Sequence, residues 1–250
     1  MKNLIFILLL LTFSFANENN DTNNNDFDNE FDSEFSTNNE EIFDPLSGYN
    51  RIMTTFNDKT FIYVLNPISK GYAYITPEPI RIGINNFFEN IMFPVRLTNN
   101  LLQLKFQNST EELGRFLVNT LWGLAGFLDP ATNELHMNAH KEDFGQTLGF
   151  YGVGQGFHVV LPFLGPSNLR DIAGLVGDAF VSPLTITGDG DIQYKIPNTF
   201  EQQMAIQGVN AINSNSLKLG QYESLKKDAL DLYPFLRDIY TQARKKQIEE

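Results

Sequence analysis

Apolar positions recur at helical spacing along most of this chain. Tyr49, Met53, Phe56, Thr60 and Tyr63 share one face between Pro45 and Pro67. Thr76-Pro77-Glu78 reads as a helix start, with a hydroxyl cap, proline in the first turn and an acid at the positive end of the dipole. The stripe continues through Ile80, Ile84, Phe87, Phe88 and Ile91. Phe93-Pro94 is expected to end it, because the residue before proline is biased out of the helical region. Further helices are expected from Val95 to Leu104 and from Asn108 through Leu113, Phe116, Leu117 and Thr120. Phe157–Leu161 is strand-like and closed by Pro162. Pro166-Ser167-Asn168 reads as the start of a helix through Ile172, Leu175, Val176 and Phe180, with Ser167 as its cap. The stretch Thr185–Lys195 is turn-rich, and 197–213, 217–232 and 234–249 read as three helices. The fold class is mainly α, with no internal repeat.

Two stretches do not look like ordinary soluble core. Asn85–Phe93 sets amides against aromatics, as a helix lying in a membrane interface does. Leu121–Leu128 continues the preceding helix and is apolar on every face, which fits either core or one membrane leaflet. Its length is too short to cross a bilayer, which takes about 20 residues. Phe87, Phe88, Ile91, Met92 and Phe93, with Leu121, Trp122, Leu124, Phe127 and Leu128, are the candidates for membrane contact.

Charge and composition divide the chain. Met1-Lys2-Asn3, a short apolar run from Leu4 to Phe15, and small residues at Ser14 and Ala16 make a secretory signal, with cleavage expected after Ala16. From Asn17 to Asp44 there are ten acids, no Lys or Arg, and many Asn. That segment cannot bury enough apolar surface to offset its ordering entropy, so disorder is expected. Phe27, Phe31 and Phe35 recur every fourth residue and would share a helical face, either as a docking motif or within a solvated tether. Twenty acids and seventeen bases remain in 45–250, a net charge of −3, so the acidity belongs to the leader. There is no basic stripe for nucleic acid. There is no cysteine, which excludes disulfides and leads to the expectation of an exported protein that is not a lipoprotein. The expected divisions are a signal at 1–16, a leader at 17–43, a helical domain at 44–196 and C-terminal helices at 197–250, either part of that domain or a docking extension.

Catalytic chemistry finds no foothold. His136, His140 and Asp143 have helical spacing but no fourth ligand in view. Gly149, Gly152, Gly154 and Gly156 match neither a phosphate loop nor a dinucleotide fingerprint. Ser167 lies in Gly-Pro-Ser rather than in a nucleophile elbow.

A series of motifs does carry a resemblance. Asp44-Pro-Leu-x-Gly-Tyr-Asn-Arg51, Phe56-Asn-Asp-Lys59, Lys70-Gly-Tyr72, Thr76-Pro-Glu-Pro79 and Asn86-Phe-Phe88 come in order. Asn99-Asn-Leu-Leu-Gln103, Gly114-Arg-Phe-Leu-Val-Asn119, Glu142–Gly149, Leu161-Pro-Phe-Leu-Gly-Pro-Ser167 and Leu169-Arg-Asp171 follow. Together they resemble the VacJ/MlaA family over residues 44–182. The resemblance implies a ring-like helical protein in the inner leaflet of the outer membrane, on its periplasmic face. It implies removal of stray phospholipid from the outer leaflet through an amphipathic channel, delivery to a soluble periplasmic carrier, and association with a trimeric porin. It implies no cofactor and no covalent chemistry. The polar members of the matched motifs are Arg51, Asp58, Arg115, Asp143, Gln146, Arg170 and Asp171. They either line the lipid path or fix the ring as buried pairs. The competing readings are an exported envelope protein that binds partners through its leader, and a periplasmic hydrolase.

Overall fold

The computed structural model describes residues 43–187 and 195–249. The signal at 1–16 with its cleavage after Ala16, nearly all of the 17–43 leader, and the Gly188-Asp189-Gly190 turn lie outside the described residues.

The first helical rod is α1 (Ser47–Thr60), a π-helical turn over Phe61–Leu65, and α2 (Asn66–Ile75). Pro67 is the reason for the interruption. It has no N–H to donate and its ring crowds the carbonyl four residues back, so the chain widens by one residue per turn instead of breaking. α3 (Glu78–Ile91) starts behind Pro77, not behind a Thr76 hydroxyl. The Thr76 carbonyl instead accepts from Arg81 Nε at 3.1 Å. Phe93-Pro94 does not end the apolar run. Met92 alone separates α3 from α4 (Phe93–Leu102), because proline is well accommodated in the first turn of a new helix. Phe93 is buried and stacked on Phe116 of α5 (Phe106–Leu121), with centroids 4.4 Å apart.

The expected helical continuation over Leu121–Leu128 is overturned. The chain leaves α5 at Leu121 and turns, with positive φ at Leu124, Ala125 and Gly126. Gly126 has φ +94°, and an added Cβ there would meet the Asn90 side chain at 2.4 Å. An L side chain therefore has neither the conformation nor the room. A short α6 (Pro130–Asn133) follows, capped by Asp129.

α7 (Phe144–Phe150) is capped by Asp143, which forms a reciprocal capping box with Gln146. A hairpin of β1 (His158–Leu161) and β2 (Gly165–Asn168) pairs His158 with Asn168 and Val159 with Ser167. Ser167 is thus a strand residue. The cap of α8 (Leu169–Val181) is Asn168, whose side chain accepts from Asp171 N. α9 (Phe200–Ser216) starts behind Thr199, and α10 (Gln221–Asp228) and α11 (Leu232–Glu249) complete the chain.

The packing order closes on itself. α2 lies against α9, α9 against α3, α3 against α4, and α4 against both α7 and α8. α7 and α8 form the most extensive pair, and α11 joins α7 back to α1. Close approach of α7 and α8 depends on Gly145 and Gly174, since an added Cβ at Gly174 would sit 2.4 Å from Gly145 N. The result is a mainly α circuit in which the C-terminal helices supply two of the links.

Candidate functional site

Polarity in this circuit is distributed the wrong way round for a soluble domain. Among the described residues, seven apolar side chains are buried against twenty-six polar or charged ones. Ordinary cores bury Leu, Ile, Val and Phe. Here Glu112, Asn50, Asn100, Asn213 and Ser69 are wholly buried, while Tyr63, Tyr74, Ile75, Leu121, Trp122 and Leu124 face outward. Buried polar groups need partners to be tolerated. Most have them. Asn50 Nδ2 donates to Asp44 Oδ1, the His158 carbonyl and the Tyr233 hydroxyl, each at 3.1 Å, and its Oδ1 accepts from Val160 N at 2.8 Å. Glu112 accepts from Arg96 Nε and from His140 N, both at 2.7 Å.

The seven polar residues singled out from the motifs all sit in such ties. Arg51 reaches Asp231 at 2.6 Å, with both side chains about half exposed, and its guanidinium lies over Tyr233. Asp58 accepts from Lys226 Nζ at 2.7 and 2.8 Å and from the Tyr222 hydroxyl at 2.9 Å. Arg115 holds the turn after α5 through Thr132 Oγ1 at 2.8 Å, the Met137 carbonyl and Asp129 Oδ2 at 3.3 Å.

Asp143, Gln146, Arg170 and Asp171 come together, at the junction of α7, α8 and α11. The organiser there is Arg244 of α11, which no sequence motif marked. Its Nη1 and Nη2 meet Asp143 at 2.7 and 2.8 Å, and its Nε and Nη2 meet Asp171, each at 3.0 Å. The Tyr240 hydroxyl donates to Asp171 at 2.6 Å and Arg170 Nε at 3.1 Å. Burial works against an ionised Asp171, but the Arg244 guanidinium and the other donors outweigh it and hold the carboxyl below its ordinary value. One carboxylate in the same junction forms no ion pair among the described residues, and Arg244 acts on it only weakly. Asp178 is driven up to about 7 by burial and then by the charge of Asp143.

The apolar candidates divide. Leu121, Trp122 and Leu124 are 69%, 71% and 71% exposed, and Leu128 and Phe87 are also exposed. Phe88, Ile91 and Met92 are half-buried. Phe127 turns inward onto α3, filling the space over Gly83, where an added Cβ would meet its ring at 2.2 Å. Phe93 belongs to the interior. Among the described residues no helix is long and apolar enough to cross a membrane, and no cluster of three or more His, Asp or Glu is placed to hold a metal. His140, weighed as a metal ligand, meets Glu111 at 2.6 Å.

Comparison with known proteins gives this arrangement counterparts. The family described as MlaA lipoprotein matches residues 42–247. The intermembrane phospholipid transport system lipoprotein MlaA of Escherichia coli is 37% identical over 145 residues, which is 57% of this chain and 58% of that protein. Its namesake from Haemophilus influenzae is 32% identical over 203 residues, 80% of this chain and 76% of that protein. A solved structure, described as the structural basis for maintenance of bacterial outer membrane lipid asymmetry, matches with a TM-score of 0.68 at 30% identity. It covers 82% of this chain and 98% of its own. One expectation is corrected by these names. The chain was expected not to be a lipoprotein, but the family and both relatives are named as lipoproteins. That expectation rested on the lack of cysteine alone, which describes one residue type and not how the protein is held.

Proposed function

This chain belongs to the MlaA lipoprotein family, and from that premise we propose that it moves phospholipid at the bacterial outer membrane without covalent chemistry. It takes up phospholipid that has strayed into the outer leaflet and passes it to a soluble periplasmic carrier, beside a trimeric porin. The observation that carries this reading is the inverted polarity of the helical circuit, with polar groups inside and large apolar side chains outside. A charged headgroup is costly to bury without partners, so its route must be polar. Acyl chains gain about 0.8 kcal/mol per buried CH₂ in any apolar surroundings, so sliding from one such surface to another costs little. An apolar exterior also suits a protein seated in a single leaflet. The polar ties at Arg51, Asp58, Arg115 and Arg244 hold the circuit closed, and in this reading their first role is to fix its shape.

The test is outer-leaflet phospholipid in a strain lacking this protein, with a complemented control. A rise on deletion that complementation reverses is the expected result. Unchanged outer-leaflet phospholipid would overturn the reading.

A further inference from the structure

One motif is left unused by the reading above, the glycine-crowded run Gly149, Gly152, Gly154 and Gly156. It spans the end of α7 and the loop leading to β1. Gln155 of that loop lines a cavity of about 300 Å³, whose other walls are Arg170 at the start of α8 and the last turns of α11.

Arg170 is the informative group. Its side chain is only 6% exposed. A guanidinium carries five N–H donors, and among the described residues only Nε finds an acceptor, Asp171 Oδ1 at 3.1 Å. Nη1 and Nη2 find no acceptor among the described residues, and Arg170 lines the cavity. Arg244 is the opposite case. Its donors are taken by Asp143, Asp171 and Gln247, so it builds the wall. Lys245, Gln155 and Thr241 add further donors to the lining. Gly149 keeps the place open, because an added Cβ there would lie 3.1 Å from Arg170 Nη1 and 2.6 Å from Ile248 Cδ1. Ile248 adds an apolar wall to the lining. Glu249 also lines the cavity and opposes any anion.

A nearly buried arginine with unspent donors, beside the apolar Ile248 wall, suits a phosphate that carries a hydrocarbon tail. We propose that this cavity seats the phosphate diester of a phospholipid, with Arg170 and Lys245 as its ligands and Glu249 keeping the hold loose enough for release. The anion chemistry stands on the cavity itself. The lipid as its source rests on the transport reading above.

Calorimetric titration of the full chain in detergent tests it, with dihexanoylphosphatidylglycerol, uncharged dihexanoylglycerol and inorganic phosphate as probes. Dihexanoylphosphatidylglycerol should bind and dihexanoylglycerol should not. Arg170→Gln and Lys245→Gln should each weaken binding about tenfold, and Glu249→Gln should tighten it several-fold, as expected for charge-assisted contacts. Lys245 and Glu249 are exposed, so their variants keep the test alive if Arg170→Gln fails to fold. Lipid binding that neither Lys245→Gln nor Glu249→Gln alters would overturn the seat while leaving the transport reading intact. Phosphate binding with this variant pattern, but no lipid binding, would overturn the lipid as the occupant and leave a free-anion site. Binding of neither probe would overturn the seat altogether, and the leaflet assay would still judge transport separately.

Discussion

Arg244 grips Asp143 with both arms of its guanidinium, Nη1 to Oδ2 at 2.7 Å and Nη2 to Oδ1 at 2.8 Å. The two residues are 101 positions apart, and the bond ties the last helix to the capping box of α7. The same guanidinium reaches Asp171, the buried first-turn acid of α8. One residue thus joins three helices where the circuit closes.

Removing Arg244 takes two charged contacts from buried Asp171 and leaves it Arg170 Nε at 3.1 Å as its cationic partner. Arg244→Leu is expected to cost about 3–5 kcal/mol in urea unfolding, the range for breaking a buried pair from one side. Arg244→Lys should recover only part of this, because an ammonium cannot reproduce the planar fork that meets two carboxylates. Unchanged unfolding midpoints would show that the junction is not structural.

Asp178 gives the protein a pH dependence. Its Oδ1 accepts from Asn99 at 2.8 Å, and both its oxygens accept from Phe144 N at 3.2 and 3.1 Å. Burial and the charge of Asp143 raise the folded carboxyl from 3.8 to about 7, against the weaker pull of Phe144, Asn99 and Arg244. With the folded value raised, the stabilising contribution is complete below about pH 4 and is lost as pH rises through about 7. Asp178→Asn should flatten the stability profile over that window and be more stable than the parent at pH 8. Unfolding curves at pH 5 and pH 8 check this, and a profile that keeps its slope in the variant would refute it.

Asp58 should govern α10. That helix contains no buried residue, so its attachment depends on side-chain ties such as Tyr222 and Lys226 to Asp58. Asp58→Asn is expected to cost about 1–3 kcal/mol, a range for losing a partly buried charged hydrogen-bond acceptor. Hydrogen exchange should speed up selectively over Gln221–Asp228. A uniform change across the chain would point to a different role for Asp58.

Much of the helical order was legible because apolar spacing persists even where the apolar face points outward. Periodicity locates a face without saying which side is solvent. That is why Phe93 and Trp122 looked alike in the sequence, although one is buried against Phe116 and the other is exposed. Boundaries failed where proline or glycine has two uses. Pro94 opens a helix, Pro67 is absorbed by a π turn, and Gly126 converts an apparent apolar helix into a left-handed turn. The polar residues of the motifs were visible, but their partners Asp231, Lys226 and Arg244 lie in the tail, far along the chain. A basic residue near a helix end reads as dipole complementation, so nothing marked Arg244 as the organiser of a junction.

If the apolar exterior faces lipid, Trp122, the single tryptophan of the chain and 71% exposed, reports on that contact. Its fluorescence should be read in phospholipid vesicles with and without brominated acyl chains. The account predicts a blue-shifted spectrum in vesicles and strong quenching by the brominated chains. A spectrum unchanged from detergent-free buffer, with no quenching, would contradict it.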